Sequence, residues 1–201
     1  MRRTFLYMTM TFDGFLSGLH NELDWFKPGQ YDDEMNRDIL RILASADSLM
    51  MGYPTGPGMM AYWKEAGEKK SNPKWMLDIA HAMDNKHVFV ISSENEDLQM
   101  DDAELVVAKN DKELTSAVKK LRESKGRNIC ILGGVRTAQN LSRLGLVDEY
   151  ILMVHPVAIA KGKPLFISKM RLKFVSSKSY KSGAVQMRYR PAKVRVRQQA
   201  I

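Results

Sequence analysis

The 201-residue chain contains a single cysteine, Cys130, and four histidines. One cysteine excludes an internal disulfide and a zinc site built on several cysteines. The histidines lack the i, i+4 spacing of a helical metal site, so we expect no metal ion. There is also no Gly-x-Ser-x-Gly sequence to mark a nucleophilic serine, and Cys130 lies in an apolar segment where a thiol is inert.

Long apolar runs are missing as well. No stretch approaches the roughly 20 residues that cross a membrane. The first apolar run is short and soon meets Asp13, which argues against a cleaved signal peptide. With 44% hydrophobic and 27% charged residues, the composition is typical of a soluble globular protein, and we expect a cytoplasmic location.

Acidic residues are absent from the last quarter of the chain. Residues 150–201 carry 12 Lys and Arg and no Asp or Glu, within a chain of net charge +8. We interpret them as a solvated basic face followed by a basic tail, residues 193–201. Binding of nucleic acid or of an acidic partner is the alternative, but the interleaved aromatics and motifs of nucleic-acid binders are missing. Residues 1–192 show no linker or repeat and are predicted to form one domain.

Short apolar strands alternate with amphipathic helices along most of the chain. The pattern predicts strands at residues 4–12, 47–51, 87–91, 104–107, 128–132 and 147–157, with helices between most of them. Two further strands, residues 172–180 and 185–190, are joined by a Gly-containing turn and predict an antiparallel edge. We therefore expect a three-layer α/β/α domain with a mixed, mostly parallel sheet of about eight strands.

A Gly-Gly pair stands between a predicted strand and a predicted helix. Gly133 and Gly134 follow the strand at 128–132, and Arg136 lies in the first turn of the next helix. Such glycines let a ligand approach the backbone, and a helix N-terminus offers free N–H groups to a phosphate. The alternative is that the glycines only permit a tight strand-to-helix turn.

Small residues also end two other predicted strands. Gly52 follows one of them, and Ser92-Ser93 follows the next. Ligands of open α/β sheets bind beyond the carboxyl ends of the strands. Three such ends would suit an extended, phosphate-bearing ligand such as a dinucleotide, although serines at a strand end can also simply cap a loop.

Several ordered motifs together point to a known family. They are Thr11-Phe12-Asp13-Gly14-Phe15-Leu16-Ser17-Gly18, Asp24-Trp25-Phe26, Met50-Met51-Gly52-Tyr53-Pro54-Thr55, Gly58-Met59-Met60-Ala61-Tyr62-Trp63, Ile91-Ser92-Ser93, Leu132-Gly133-Gly134-Val135-Arg136, and the C-terminal set 146–150, 155–157 and 162–166. The set resembles the dihydrofolate reductase-like superfamily, in particular the branch related to the riboflavin-biosynthesis reductase, or RibD C-terminal, domain. Each motif alone is weak, and their order and spacing carry the resemblance.

The resemblance implies an NADPH-dependent reductase that transfers a hydride to a small heterocyclic substrate of pterin, pyrimidine or similar type. It also implies a homodimer. The cofactor-binding residues that it implies are Gly52, Tyr53, Thr55, Ser92, Ser93, Gly133, Gly134, Val135 and Arg136.

One position departs from the family pattern. Tyr53 stands where the family has an arginine that pairs with the cofactor 2′-phosphate. The loss of one charged hydrogen bond costs about 1.5–3 kcal/mol. Either Arg136 supplies the charge alone, or the preference for NADPH is relaxed, or the pocket has changed. The alternative function is accordingly a nucleotide-binding module of the same fold without reductase turnover.

Two carboxylates are candidates for the proton donor of such a reduction. We expect Asp13 to lie in the crevice at the end of the first strand, and Asp24 is the second candidate because Trp25 could shield it. Either could instead be a turn or loop residue. Trp25 and Tyr62 are the candidate substrate-binding residues, and Trp63 and Trp75 offer further flat surfaces, although aromatic residues of this kind often belong to the core.

Overall fold

The computed structural model describes residues 1–26 and 32–192. In chain order the elements are β1 (Thr4–Thr11), β2 (Phe15–Ser17), α1 (Asp33–Ala44), β3 (Ala46–Gly52), α2 (Gly56–Glu68), α3 (Lys74–Asp84), β4 (His87–Ser92), β5 (Ala103–Val107), α4 (Asp111–Glu123), β6 (Asn128–Ile131), α5 (Val135–Arg143), β7 (Glu149–His155), β8 (Lys163–Pro164), β9 (Leu172–Ser179) and β10 (Val185–Pro191). Most predicted elements are found within one to three residues of these bounds. The predicted basic tail, 193–201, lies outside the described residues, and the division into domain and tail stays a prediction.

An eight-stranded sheet forms the centre, in the order β5-β4-β3-β6-β1-β7-β10-β9. Neighbouring strands from β5 to β7 run parallel, whereas β10 is antiparallel to both β7 and β9. The predicted mixed sheet with an antiparallel C-terminal edge is therefore confirmed. A small second sheet, which joins β2 to β8, was not predicted.

Helices cover both faces of the large sheet. Alternate residues of β1 point to opposite sides: Phe5 and Tyr7 join one apolar layer, and Leu6 joins the other. The first layer includes buried residues of α1 and α3, and the second includes those of α4 and α5. The three-layer arrangement is thus confirmed.

The parallel strands set the position of the functional site. β3, β6 and β1 are neighbours at the centre of the sheet, so their carboxyl ends meet on one edge. α2 and α5 begin just beyond β3 and β6, and their N-termini lie on that same edge. Within the described ranges, every helix is too short or too polar to span a bilayer.

Candidate functional site

Gly133 and Gly134, which we call the glycine turn, join β6 to α5. Their φ angles are +142° and +81°, a region that favours glycine. A Cβ on Gly134 would lie 3.2 Å from the backbone nitrogen of Gly52, and one on Gly133 would lie 3.1 Å from Cε of Met59. A side chain on Gly134 would press against backbone, and one on Gly133 would have to displace the end of the Met59 side chain.

Gly52 packs directly against the glycine turn. It ends β3, is buried, and a Cβ at this position would come within 2.4 Å of Oγ1 of Thr137 in α5. Its carbonyl accepts a hydrogen bond of 3.0 Å from the backbone nitrogen of Thr55. The absence of a side chain at Gly52 thus lets β3 pack directly against the first turn of α5.

Two helices begin beside the glycine turn. Gly134 is the N-cap of α5, and Thr55 holds the same position in α2. Cγ2 of Thr55 lies 3.5 Å from where a Cβ on Gly133 would be. Unpaired N–H groups and the positive ends of two helix dipoles therefore converge here, which is suitable for phosphate.

A cavity of about 570 Å³ extends from the glycine turn over the sheet face that α1, α2 and α3 cover. The glycine turn, Thr55 and Val135 line one end. The remainder is lined by residues of β1, β2 and the segment after it, by Leu132 after β6, and by residues of all three helices. Among residues 1–26 and 32–192, no Asp, Glu, His, Lys or Arg lines this cavity. One end is thus polar through its backbone, and the other is apolar.

A comparison with known protein families shows which family the chain belongs to. A family model described as the RibD C-terminal domain matches residues 3–186. The chain belongs to this family. The resemblance predicted from the ordered motifs is therefore confirmed.

Relatives and solved structures agree with this membership. The uncharacterized protein YyaP of Bacillus subtilis (strain 168) is 30% identical over 192 residues, which cover 94% of each chain. The riboflavin biosynthesis reductase Rib7 of Saccharomyces cerevisiae is 13% identical with a TM-score of 0.59, covering 95% of this chain and 90% of that one. Dihydrofolate reductase from Enterococcus faecalis, complexed with NADP(H), is 12% identical with a TM-score of 0.53, covering 94% and 96%. At such identities the two solved structures, both reductases, show a shared fold alone.

The structure places the expected cofactor residues of this RibD-type domain in different surroundings. Thr55, Gly133, Gly134 and Val135 line the cavity, whereas Gly52 does not line it and packs against Gly134. Arg136 is exposed in the first turn of α5 and forms no ion pair with any described residue. Its guanidinium is available to an anion near the helix N-terminus.

Tyr53, Ser92 and Ser93 do not line the cavity. Tyr53 is half-buried, packs against the apolar layer of α1 and α3, and donates its backbone N–H to the carbonyl of Ile91 at 2.9 Å. The Ser92 hydroxyl is engaged in its own loop: it lies 3.2 Å from Oε1 of Glu96 and accepts from the backbone N–H of Glu94 at 3.1 Å. The carboxylate of Glu96 thus lies beside Ser92, a residue that the resemblance assigns to the cofactor. The residues fit a pyrophosphate at the glycine turn, but they fit a 2′-phosphate poorly.

The expected position of Asp13 inside the crevice is corrected by the structure. Asp13 is exposed and does not line the cavity. Its carboxylate accepts hydrogen bonds from the Thr11 hydroxyl at 2.6 Å and from the backbone nitrogens of Ile159 and Ala160 at 3.0 and 2.8 Å. The Thr11 hydrogen bond leads the causes that lower the pKa of Asp13. A general acid needs the opposite shift, and these contacts agree with the alternative that Asp13 is a turn residue.

The other acid and the two candidate aromatics are placed as follows. Asp24 is exposed and away from the cavity lining. Trp25 also lies outside the lining; its ring centroid is 5.9 Å from those of Phe26 and His155. Tyr62 does line the cavity, with its side chain half-exposed. The structure thus brings only Tyr62 of these three to the cavity, together with Trp63 and Trp75.

Sequence reasoning missed the aliphatic part of the cavity wall. Ile39 and Leu43 of α1 and Ile79 and Met83 of α3 line it while belonging to the buried core. Their helical spacing predicts a buried face but does not show that part of the face borders a cavity. Within the described ranges, no cluster of three His, Cys, Asp or Glu could hold a metal ion.

Proposed function

We propose that the protein is a reductase that takes a hydride from NADPH and delivers it to a small flat heterocyclic molecule. The observation that carries the proposal is one continuous cavity with two different ends. One end presents backbone groups and two helix N-termini, and the other presents aromatic and aliphatic side chains. This division matches a phosphate-linked cofactor beside a ring-shaped substrate.

The chain's residues would bind the cofactor mainly through the backbone. The first N–H groups of α5 and α2 would hold the pyrophosphate, and Arg136 would add one positive charge beside it. When bound, the dinucleotide supplies a hydride for an electrophilic carbon of the substrate. Thr55 and Val135, which line the cavity next to the glycine turn, would then position the nicotinamide end.

The second half of the reduction needs a proton. No acidic or histidine side chain of the described residues lines the cavity. We therefore assign the proton to water that reaches the cavity from solvent. The protein's contribution is then orientation of two rings and exclusion of water from the apolar end.

Discrimination between NADPH and NADH should be weak in this protein. Tyr53 supplies no charge, and Glu94 and Glu96 lie in the loop that begins at Ser92. Like charges near a 2′-phosphate oppose its binding. We expect NADPH to bind, with an affinity within about tenfold of that of NADH.

Calorimetric titration of both dinucleotides tests the proposed cofactor. Wild type should bind each saturably, and Arg136→Ala should weaken both by about tenfold, as expected for one charged hydrogen bond. Lys112→Ala, an exposed cation on α4, is the matched control and should leave both affinities unchanged. If Arg136→Ala binds both dinucleotides as tightly as wild type, or if wild type binds neither, this assignment is contradicted.

The alternative is a nucleotide-binding module without turnover. The tyrosine at position 53 favours it, as does the lack of an acidic side chain among the described residues that line the cavity. A screen of flat imines and ketones with oxidation of NADPH as the readout separates the two functions. Dinucleotide binding without oxidation by any of these compounds would support the module.

We also propose that two chains associate through β9. This strand ends the sheet, and Phe174 and Val175 on it are exposed. An exposed apolar edge strand is a natural surface for pairing with a second copy. Sedimentation should show that the wild-type protein is a dimer, and Phe174→Lys should shift the equilibrium toward monomer; a monomeric wild type would refute the proposal.

A cytoplasmic location stays a prediction.

A further inference from the structure

We propose that the apolar end of the cavity takes an uncharged, flat and largely apolar ring compound, such as an aryl ketone. As a statement about the substrate, this rests on the proposed reductase function; as a statement about binding, it rests on the cavity alone. The claim excludes phosphorylated compounds and compounds recognised through an aminopyrimidine edge.

The walls of this end are aromatic and aliphatic. Trp63 of α2 and Trp75 of α3 line the cavity, together with core residues such as Leu43 and Met83. The last two side chains are almost fully buried. A flat apolar ring placed here would exchange water contacts for packing against indole and aliphatic surfaces, which favours binding.

The polar groups of the same end are neutral. Ser17 and Asn21 line it, but the Ser17 hydroxyl lies 3.0 Å from the carbonyl of Gly18, and Oδ1 of Asn21 accepts from Nζ of Lys163 at 2.6 Å. No cation of the described residues lines the cavity. A phosphate or carboxylate moved into this end would lose its water without meeting a cation among the described lining residues, which is strongly unfavourable.

An aminopyrimidine edge also lacks a partner here. Such an edge presents two adjacent N–H donors, which a carboxylate accepts in a bidentate manner. Glu22 and Asp24 flank the lining residue Leu23, but both are exposed and lie outside the cavity lining, as does Asp13. A ring that offers a carbonyl to a neutral hydrogen-bond donor is a better match.

A matched pair of probes tests the inference without any nucleotide. 2-Acetylnaphthalene and 2-naphthoate share one flat frame and differ chiefly in charge. Two of the chain's three tryptophans line the cavity, so quenching of intrinsic fluorescence reports binding. The ketone should bind at least about tenfold more tightly than the carboxylate, because the carboxylate must be desolvated without a partner.

Two leucines provide the matched variants. Leu19 and Leu23 lie in the same segment and are 56% and 53% exposed, but only Leu23 lines the cavity. Leu23→Lys should place a cation in the cavity wall and raise naphthoate affinity by about tenfold, whereas Leu19→Lys should leave the affinity for both probes unchanged. Because both positions are exposed, neither substitution removes a buried side chain from the core.

Each outcome of the titrations decides one claim. Equal affinity for the two probes, tighter naphthoate binding, or no binding of the ketone overturns the inference even if the protein binds NADPH. Tight ketone binding without dinucleotide binding leaves the inference standing and overturns the reductase function. The probe titrations and the dinucleotide titrations therefore fail independently.

Discussion

The two ends of the cavity are built in different ways. At the glycine turn, two consecutive residues have positive φ angles, and a side chain on Gly134 would press against the backbone of Gly52. At the apolar end, side chains from β1, α1, α2, α3 and the segment after β2 meet, although they are far apart in sequence. A site made of backbone depends on a few glycines, whereas a site made of side chains depends on the whole layer of helices.

This difference has a functional consequence. Backbone groups at helix N-termini bind any phosphate with little regard for the rest of the molecule. The apolar end can change its shape and polarity one side chain at a time without disturbing the turn. Members of one family can therefore share a cofactor end and differ in substrate, which is why fold alone does not identify the substrate.

The largest effect is expected from a side chain added to the glycine turn. Gly134→Val combines a strained φ of +81° with a clash against the backbone of Gly52, so it should lower the free energy of unfolding by about 3 kcal/mol and remove dinucleotide binding. Gly145→Val is the control: its φ is +67°, but nothing lies within 4 Å of its Cβ position. Denaturant titration should show the smaller loss for Gly145→Val. Equal losses in the free energy of unfolding would mean that the close packing at Gly134 does not contribute to stability.

The second effect concerns cofactor choice. Tyr53→Arg should raise the ratio of NADPH to NADH affinity by about tenfold, because a guanidinium can pair with a 2′-phosphate. Tyr53→Phe keeps the ring without the charge and should leave the ratio unchanged. Calorimetry with both dinucleotides measures it. An unchanged ratio in Tyr53→Arg would show that position 53 does not face the 2′-phosphate.

The third prediction compares the roles of two tryptophans in binding the ring compound. Trp63 lines the cavity and Trp25 does not. Trp63→Leu should weaken binding of 2-acetylnaphthalene by about fivefold through the loss of ring contacts, and Trp25→Leu should change it less than about twofold. Fluorescence titration measures both affinities. A larger loss of affinity in Trp25→Leu than in Trp63→Leu would indicate that Trp25 belongs to the substrate site.

A smaller effect is expected from His155, whose ring lies 5.5 Å from that of Phe26, a residue of the cavity wall. Burial lowers the pKa of His155 below its usual value. As the pH falls below about 6.5, the unfolded chain therefore takes up the proton first, and stability decreases. The loss of stability should be smaller in His155→Gln than in wild type, and His81→Gln, an exposed control, should behave as wild type. Identical profiles for His155→Gln and wild type would contradict this.

The smallest effect is expected at Asp13. The Thr11 hydroxyl leads the contacts that lower the pKa of Asp13, so its carboxylate stays ionised near neutral pH. Asp13→Asn should therefore leave both probe affinity and the pH dependence of any turnover unchanged. A turnover that drops while probe binding is preserved would restore Asp13 as a proton donor.

The sequence predicted the sheet, the helices and the glycine turn because each is a local signal. Period-two and period-3.6 patterns mark the strands and helices, and a Gly-Gly pair between a strand and a helix marks the turn. The place of Asp13 could not be predicted in this way. Its orientation depends on the backbone of Ile159 and Ala160, which approach from far along the chain.

The cavity could not be predicted from local sequence patterns either, because distant parts of the chain form it. Ile39 and Met83 belong to apolar helix faces that look like ordinary core. Whether such a face meets another element or borders empty space is decided by how α1 and α3 pack over the sheet. The three tryptophans were visible in the sequence, but only packing decides that Trp63 and Trp75 face the cavity and Trp25 does not.

The most direct test of the two-ended cavity is simultaneous occupancy. NADP⁺, which cannot donate a hydride, is titrated into the wild-type protein with and without saturating 2-acetylnaphthalene, and binding is followed by calorimetry. If the glycine turn and the apolar end are separate parts of one site, NADP⁺ should bind equally well or more tightly in the presence of the ketone. Mutually exclusive binding, in which the apparent Kd for NADP⁺ rises in proportion to ketone concentration, would contradict the account.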